Sequence, residues 1–218
     1  MRIGVLGTGM VGKAIGTKLV QLGHQVRMGS RSAGNEKAVA WAADAGPLAS
    51  EGTFSGAAGF GEQVVFSCLS GAAAVDVLRE AASELEGKLL IDVTNPLEFP
   101  ADGPPTLFVG IDDSLGERIQ HTLPGARVVK ALNTINCDVM VDPALVPGEH
   151  VIFICGDDAG AKAETRQLMG ELGWPPERVL DIGDISSSRA TEAYVLLWLR
   201  MMGNLGTARF NVAITRGG

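Results

Sequence analysis

The sequence predicts an α/β fold: a doubly wound, mostly parallel sheet with a small C-terminal α/β extension that ends in a long helical segment. First, an apolar run at residues 3–6 precedes a glycine-rich turn and a segment with apolar residues at helical spacing. Second, the apolar runs at 62–71, 88–97 and 127–132 end in small or polar residues, as parallel strands do where they leave a sheet. Third, helical patterns separate these runs, which is the order that βαβ units require.

The stretch GTGMVG, residues 7–12, directly follows the first apolar run. In a nucleotide-binding turn, Gly7 would permit the tight bend, Gly9 would let the backbone approach a pyrophosphate, and Gly12 would let the helix pack on the strand. The free N–H groups at the start of the helix would bind the anion. Glycine is common here, 29 of 218 residues, so the pattern alone is weak. The strand, turn and helix around it, with a second strand at 25–29, favour a dinucleotide site over a plain turn.

The end of the second predicted strand reads Gly-Ser-Arg, residues 29–31. An NAD site usually carries Asp or Glu there, to accept hydrogen bonds from the ribose hydroxyls. Here Ser30 can donate one hydrogen bond and Arg31 a forked, charge-assisted pair, which suits a 2′-phosphate. Thr8 and Lys37 are weaker additional candidates near the adenosine ribose. We therefore predict NADP(H) as the cofactor, the alternative being that Arg31 is a solvated loop cation.

Small and polar residues follow the later strands, at the edge of the sheet where ligands bind. We expect the nicotinamide half of the cofactor to lie against Leu69, Ser70, Thr94, Asn95 and Pro96, although turn formation alone would also explain an Asn-Pro pair. Residues 133–136 would form the exit loop of the strand at 127–132. The cysteines, widely spaced and without neighbouring histidines, are interpreted as reduced packing thiols, and no metal site is predicted: Cys68, Cys137 and Cys155.

Length and composition limit the classes of protein that fit. A chain of 218 residues, 46% hydrophobic and 20% charged, accommodates an NADP-binding domain, which we place at 1–135, and a small C-terminal domain at 136–218. We expect the second domain to contribute the acceptor pocket and dimer contacts. A net charge of −7 argues against nonspecific binding to nucleic acid or anionic membranes. Because the sequence has neither an 18-residue apolar stretch nor the features of a signal peptide, we expect a cytoplasmic protein.

Stretches along nearly the whole chain resemble one known family, the NADPH:coenzyme F420 oxidoreductases. They are MRIGVLGTGMVG, GSR, DVTNPL, VKALNT, CGDDAGAKAETRQLMGELGW and DIGDISSSRATEAYVLLWLRMM. The resemblance implies a Rossmann domain and a small C-terminal domain that bring a nicotinamide against a deazaflavin, and the same fold serves membrane metalloreductases that use flavin. It implies NADP contacts at Gly7, Thr8, Gly9, Met10, Val11, Ser30 and Arg31. It also implies that the stacked rings are bordered by Ser70, Asn95, Asn133, Thr134, Ile135, Asn136 and Cys137.

Three functional classes compete for this scaffold. The first is an NADPH-dependent reductase of a planar tricyclic acceptor, coenzyme F420 or a flavin, in which positioning does the catalysis and no catalytic side chain is named. The second is a carbonyl or imine reductase, which needs a general acid and usually a large helical domain that is missing. No lysine follows Lys162, which argues against a β-hydroxyacid dehydrogenase. The third, a non-enzymatic NADP(H) sensor, has no switch or partner motif in its favour. We favour the first.

The C-terminal helical segment carries the remaining expectations. Its uninterrupted apolar run, 193–199, is too short to cross a membrane. We expect its large side chains to pack on the sheet, with a subunit contact or the acceptor pocket as alternatives: Leu196, Leu197, Met201 and Met202. Arg189 or Arg209 could contact an anionic acceptor, with surface charge as the alternative. A homodimer acting on a small-molecule electron acceptor is the expected assembly.

Overall fold

The structure, a computed structural model, describes residues 1–217 and contains an eight-stranded sheet and a separate two-stranded one. The small sheet pairs β6 with β7. The large sheet has the order β10-β9-β8-β5-β4-β1-β2-β3. In chain order the strands are β1 (Arg2–Leu6), β2 (Gln25–Ser30), β3 (Ala49–Thr53), β4 (Val64–Ser67), β5 (Leu89–Asp92), β6 (Leu97–Glu98), β7 (Thr106–Leu107), β8 (Arg127–Ala131), β9 (Ile152–Cys155) and β10 (Val179–Asp181).

Six neighbouring strands of the large sheet, from β3 through β8, run parallel. The chain winds outward from β1 to β2 and β3, then returns to β4 on the other side of β1 and continues to β5 and β8. This is a doubly wound Rossmann sheet whose switch point lies between β1 and β4. The predicted fold class is confirmed. Beyond β8, strand β9 runs antiparallel to it, and β10 runs parallel to β9.

Helices cover both faces of the sheet because buried side chains alternate along each strand. On one face, Ile3 and Val5 pack with α1, α2, α7 and α8; on the other, Leu6 packs with α3, α4 and α6. The helices are α1 (Met10–Gln21), α2 (Glu36–Ala45), α3 (Phe54–Phe60), α4 (Gly71–Glu80), α5 (Ala82–Leu85), α6 (Leu115–Thr122), α7 (Cys137–Val141), α8 (Ala159–Glu171) and α9 (Ser188–Leu205). Within residues 1–217, no helix combines the length and apolar character that crossing a bilayer requires.

Helix α9 packs on α6 through a largely polar face. Its buried residues are Ser188, Thr191, Glu192 and Val195. The expectation that the large apolar residues of α9 pack on the sheet is wrong: Leu197 is 55% exposed, and Leu196, Met201 and Met202 are only half-buried. The polar inner face makes hydrogen bonds to α6, which turns the apolar residues outward. A subunit contact through these residues, and the division of the chain at residue 135, remain predictions.

Candidate cofactor and acceptor site

The carboxyl ends of the six parallel strands meet at one edge of the sheet, and the loops that follow them carry the predicted site residues. Between β1 and β4 the chain leaves in opposite directions, which opens a crevice at this edge. The loop after β1 holds the glycine turn, and the loop after β2 holds Arg31. The loops after β4, β5 and β8 hold the residues expected around the nicotinamide.

The glycine turn has the backbone geometry that its sequence predicts. Gly7 has φ +124°, and a Cβ on it would collide with the carbonyl of Cys68; a Cβ on Gly12 would collide with the carbonyl of Gly7. Around Gly9, by contrast, nothing in the described chain lies within 4 Å of a Cβ position. Helix α1 begins at Met10, with no acidic residue in its first turn and no side-chain cap from residues 1–217. Its first N–H groups are therefore free to bind an anion.

The remaining residues of the turn frame that helix start. Met10 is 80% exposed, and Thr8 and Val11 are half-buried. An open space at Gly9, beside unpaired backbone donors, fits a pyrophosphate. The local fold thus leaves room for the pyrophosphate of NADP, the part of the cofactor that the glycine turn is expected to bind.

The loop after β2 presents one free cation. Arg31 is exposed and forms no ion pair with residues 1–217. It lines a cleft of about 410 Å³ together with Thr53 and Ser55 from the end of β3 and the start of α3. Asp76 and Glu80 of α4 line the same cleft; Asp76 is paired with Arg79 at 2.7 Å.

The side chains of Ser30 and Lys37 differ in how free they are to bind a phosphate. Ser30 is 4% exposed, and its hydroxyl donates to the carbonyl of Ser32 at 2.7 Å. A phosphate would have to draw this hydroxyl away from the loop. Lys37 is exposed in the first turn of α2, where Asn35 caps the helix by accepting from its backbone N–H. Arg31 and Lys37 are therefore both free to bind a 2′-phosphate, whereas the Ser30 hydroxyl would first have to leave the Ser32 carbonyl.

Two asparagines join the exit loops of β5 and β8. The Asn95 amide donates to the carbonyl of Asn133 at 2.8 Å, and the Asn133 amide donates back to Asn95 Oδ1 at 3.0 Å. We call these residues the asparagine pair. Asn133 is buried and Asn95 half-buried, so Asn95 is the member open to a ligand. Directly before Asn133, Leu132 has φ +64°, a left-handed conformation that costs a bulky residue energy and is maintained by its surroundings.

The loop after β4 lies beside the asparagine pair. Ser70 is exposed at the start of α4, and Leu69 is half-buried. A Cβ on Gly71 would collide with the carbonyl of Asn95, so the two loops are in close contact. Thr94 and Pro96 are buried beside them. The structure therefore brings Ser70 and the asparagine pair together, as the sequence predicted.

The segment after Asn133 is less open than the sequence suggested. Thr134 and Ile135 are buried, and Ile135 belongs to the main core cluster, so their contribution to an acceptor pocket remains a prediction. Asn136 caps α7 by accepting from the backbone N–H of Asp138 at 2.9 Å. Cys137 is half-buried, and burial together with the Asp138 charge raises the pKa of its thiol. Cys137 is therefore a protonated thiol at neutral pH, not a nucleophile.

The two arginines proposed as acceptor contacts are both paired with carboxylates. Arg189 of α9 binds Glu117 of α6 at 2.6 Å. Arg209 binds Asp138 at 3.2 Å, beside Cys137. A role of either in binding an anionic acceptor remains a prediction, and it would require the arginine to exchange its partner.

The histidines are engaged elsewhere. His24 precedes β2, at the opposite edge of the sheet, and its Nε2 lies 2.9 Å from Glu171. His121 lies near the end of α6. His150 precedes β9 on the cofactor edge but is buried, with Nε2 near the carbonyls of Pro143 and Val146 and Nδ1 2.9 Å from Asn211.

Sequence reasoning missed a fully buried cluster of charges below the asparagine pair, which we call the ion trio: Asp92, Lys130 and Glu192. Lys130 Nζ lies 2.8 Å from Asp92 Oδ2 and 2.6 Å from Glu192 Oε1. A signal was present, because Asp92 ends and Lys130 interrupts otherwise apolar stretches, Leu-Leu-Ile before Asp92 and Val-Val before Lys130. Their pairing depends on the register of β5 with β8, and Glu192 lies on a distant helix.

The doubly wound sheet and the glycine turn define a class, the dinucleotide-binding Rossmann proteins. Comparison with known proteins identifies the family within this class. Residues 2–96 match the family model described as NADP oxidoreductase, coenzyme F420-dependent. A crystal structure from Arthrobacter sp. FB24, provisionally assigned as an F420-dependent NADP reductase, is 41% identical, superposes with a TM-score of 0.92, and matches over 99% of this chain and 100% of that one. The protein belongs to the F420-dependent NADP oxidoreductase family and is an NADP-dependent oxidoreductase.

Two curated relatives extend the comparison. The F420-dependent NADP reductase of Methanothermobacter marburgensis is 28% identical over 211 residues, 92% of each protein. Metalloreductase STEAP3 of Rattus norvegicus is 30% identical over 203 residues, 89% of this chain but only 36% of the rat protein, so the chain spans about a third of that relative. A reductive aminase from Aspergillus terreus, 21% identical with a TM-score of 0.66 over 94% of this chain and 62% of the aminase, shares the fold alone.

Proposed function

We propose that the protein transfers hydride between NADP(H) and a planar tricyclic acceptor, coenzyme F420 in the first place and a flavin in the second. The observation that carries the proposal is the chemistry of the crevice edge. Among the residues predicted to border the rings, the exposed and half-buried polar side chains are the Ser70 hydroxyl, the Asn95 and Asn136 amides and the protonated Cys137 thiol. These groups bind and orient ligands, but none is a general acid with a pKa near neutrality.

This chemistry matches an acceptor that needs no proton from the protein. A carbonyl or imine gathers charge on one heteroatom and gains about 10²–10⁴-fold from a positioned acid. A conjugated tricyclic ring spreads the charge, so its proton can come from solvent. The three histidines lie away from the crevice or have their ring nitrogens engaged. The crevice therefore suits hydride transfer between stacked rings better than acid-assisted reduction.

Residues of this chain would hold the cofactor at three points. The N–H groups at the start of α1 would bind the pyrophosphate beside Gly9, and Arg31 would bind the 2′-phosphate. Asn95, with Ser70, would orient the nicotinamide at the far end of the crevice. The bound cofactor supplies the hydride; the protein supplies the fixed geometry in which the two rings meet.

The comparisons favour coenzyme F420 over a flavin as the acceptor. The relative from M. marburgensis, an F420-dependent NADP reductase, aligns with this chain over nearly its whole length. The family model that matches residues 2–96 is likewise described as coenzyme F420-dependent. The Arthrobacter structure, 41% identical, is also provisionally assigned as an F420-dependent NADP reductase.

An acceptor panel tests the proposal. Purified protein is mixed with NADPH and, separately, coenzyme F420, FMN, FAD, a cyclic imine and a simple ketone, and NADPH consumption is followed for each. We expect coenzyme F420 to give the highest kcat/KM, and NADH to replace NADPH poorly. Gly9→Val serves as the control for a contaminating reductase, since it should lose activity with every acceptor. Faster turnover of the imine or ketone than of either tricyclic acceptor would overturn the proposal.

A further inference from the structure

The ion trio is buried as completely as any group in the protein. Asp92 and Lys130 have fully buried side chains, and that of Glu192 is 1% exposed. Every carboxylate oxygen has a partner. Asp92 Oδ1 accepts from the backbone and hydroxyl of Thr94 at 3.1 and 2.7 Å. Glu192 accepts from the backbone N–H groups of Leu115 and Gly116, the first residues of α6, at 2.8 and 2.9 Å.

Stability alone does not explain charges at this position. Removing three charged groups from water carries a large desolvation penalty, and well-packed apolar side chains in their place are often at least as stabilising. Burial alone would lower the pKa of Lys130, but the attraction of Asp92 and Glu192 outweighs burial and raises it. Lys130 therefore keeps its charge between its two partners, and each hydrogen bond of the trio has a fixed direction.

Both ends of the asparagine pair are connected to the trio through the backbone. On β5, Asp92 binds Thr94, which precedes Asn95. On β8, Lys130 is followed two residues later by Leu132, whose left-handed backbone turns the chain into Asn133. Asp92 and Lys130 are direct neighbours in the register of the two strands. The trio thus fixes both strands just before they leave the sheet.

Glu192 adds the third element. It comes from α9, the last helix, and binds Lys130 and the first turn of α6 at once. A second contact between α9 and α6 lies at the surface, where Arg189 pairs with Glu117. Glu117 also accepts from Ser114, the N-cap of α6, at 2.7 Å, but the surface pair contacts neither Lys130 nor the asparagine pair. Glu192, by contrast, binds Lys130 directly.

We propose that Asp92, Lys130 and Glu192 are positioning residues for the nicotinamide end of the cofactor: the trio holds the two strand exits so that Asn95 and Asn133 meet in the geometry that binds the ring. This inference rests on the proposed NADP site. It gives the C-terminal helix a role in cofactor geometry through Glu192, although Glu192 does not itself contact the cofactor. The trio acts on the ring end of the crevice and leaves the phosphate end, at Gly9 and Arg31, unchanged.

A comparison of two ligands tests this separation. NADPH occupies the whole crevice, whereas 2′-phospho-ADP-ribose has the phosphates and adenosine but no nicotinamide. The ratio of their dissociation constants is measured for wild type, for Glu192→Gln, and for Glu117→Gln as the matched control that breaks the surface contact between the same two helices. We expect Glu192→Gln to bind 2′-phospho-ADP-ribose with an affinity within about twofold of wild type. Its preference for NADPH over this fragment, measured as the ratio of the two dissociation constants, should fall about fivefold. Glu117→Gln should leave the ratio unchanged.

Two results would overturn the inference. An unchanged ratio in Glu192→Gln would show that the trio does not affect the ring end, and an equal loss of both ligands would show a merely structural role. If Glu192→Gln does not fold, Thr94→Val decides in its place, since it removes the hydroxyl bond from Thr94 to Asp92 while the backbone bond and the charges remain. Because these are binding measurements, they do not depend on the acceptor. Failure of the proposed acceptor would appear only in the turnover panel.

Discussion

Cofactor selectivity should depend on Arg31, and Arg31→Ala is the substitution that tests this. In the free protein the guanidinium is exposed and has no carboxylate partner among residues 1–217, so its loss should not disturb the fold. It lines the cleft beside the ends of β2 and β3, where the cofactor's 2′-phosphate is expected. The neighbouring Ser30 hydroxyl is already used by the Ser32 carbonyl. Arg31 should therefore supply most of the preference for the phosphate.

The expected loss of NADPH affinity in Arg31→Ala follows from the charge and the solvent exposure of the Arg31 side chain. A hydrogen bond to a charged group contributes about 1.5–3 kcal/mol, whereas an exposed ion pair contributes about 0–1 kcal/mol because solvent screens it. Arg31 combines a forked, charge-assisted contact with an exposed position, so the lower part of the first range applies. A loss of about 1.5–2 kcal/mol corresponds to about a tenfold to thirtyfold weaker affinity for NADPH. NADH has no 2′-phosphate, so its affinity should change little.

Titration calorimetry with both cofactors measures the two affinities directly. Lys37→Ala is a useful comparison, since Lys37 is a second exposed cation on the same side of the crevice and should give a smaller loss. The informative quantity is the ratio of NADPH to NADH affinity in each variant. Equal losses for both cofactors in Arg31→Ala, or no loss for either, would refute the reasoning and place the phosphate elsewhere.

Three further predictions concern the turn, the histidines and the buried charges. A Cβ at Gly9 meets only open space, so Gly9→Val should fold normally yet lose NADPH affinity more than about a hundredfold; wild-type affinity by calorimetry would contradict this. His24→Ala, His121→Ala and His150→Ala should each keep kcat within about threefold of wild type at saturating NADPH, whereas a loss of about a hundredfold in a folded variant would favour an acid-assisted reductase. Lys130→Ala leaves two buried carboxylates without a counter-charge and should cost about 3–5 kcal/mol in urea unfolding at neutral pH; a loss below about 1 kcal/mol would show that the carboxylates are not buried as described. Because the folded pKa of Lys130 is raised, its contribution should be complete below the ordinary lysine pKa and decline as pH rises through the raised value.

Local constraints explain what the sequence could predict. Gly7 and Gly12 are required by contacts within a few residues or with the adjacent strand exit, so the motif, together with the strand before it and the helix after it, implied the turn. The loops after β4, β5 and β8 were predictable because parallel strands end at one edge. That Asn95 and Asn133 pair with each other depends on the side-by-side position of β5 and β8, which no local pattern encodes.

The errors have equally physical causes. The apolar residues of α9 suggested a helix packed on the sheet, but Glu192, the charge that a pattern analysis assigns to solvent, is 1% exposed and buried against α6 and Lys130. Ser30 is expected to donate to a 2′-phosphate, and this remains a prediction, but in the free protein its hydroxyl donates to the carbonyl of Ser32. In both cases the polar group has a partner that only the folded chain supplies.

The contact between Glu192 and Lys130 also determines whether the cofactor-binding half can be separated from the rest of the chain. A protein shortened to its first 135 residues would keep Asp92 and Lys130 but would lose Glu192. That residue is both the second carboxylate partner of Lys130 and the acceptor for the first backbone N–H groups of α6. It would also lose β9, which pairs with β8, and β8 would become an unprotected sheet edge. The nucleotide-binding motif therefore could not be moved into another protein as an independent module. Fusion or circular permutation should keep Glu192 in place against α6 and Lys130 of β8.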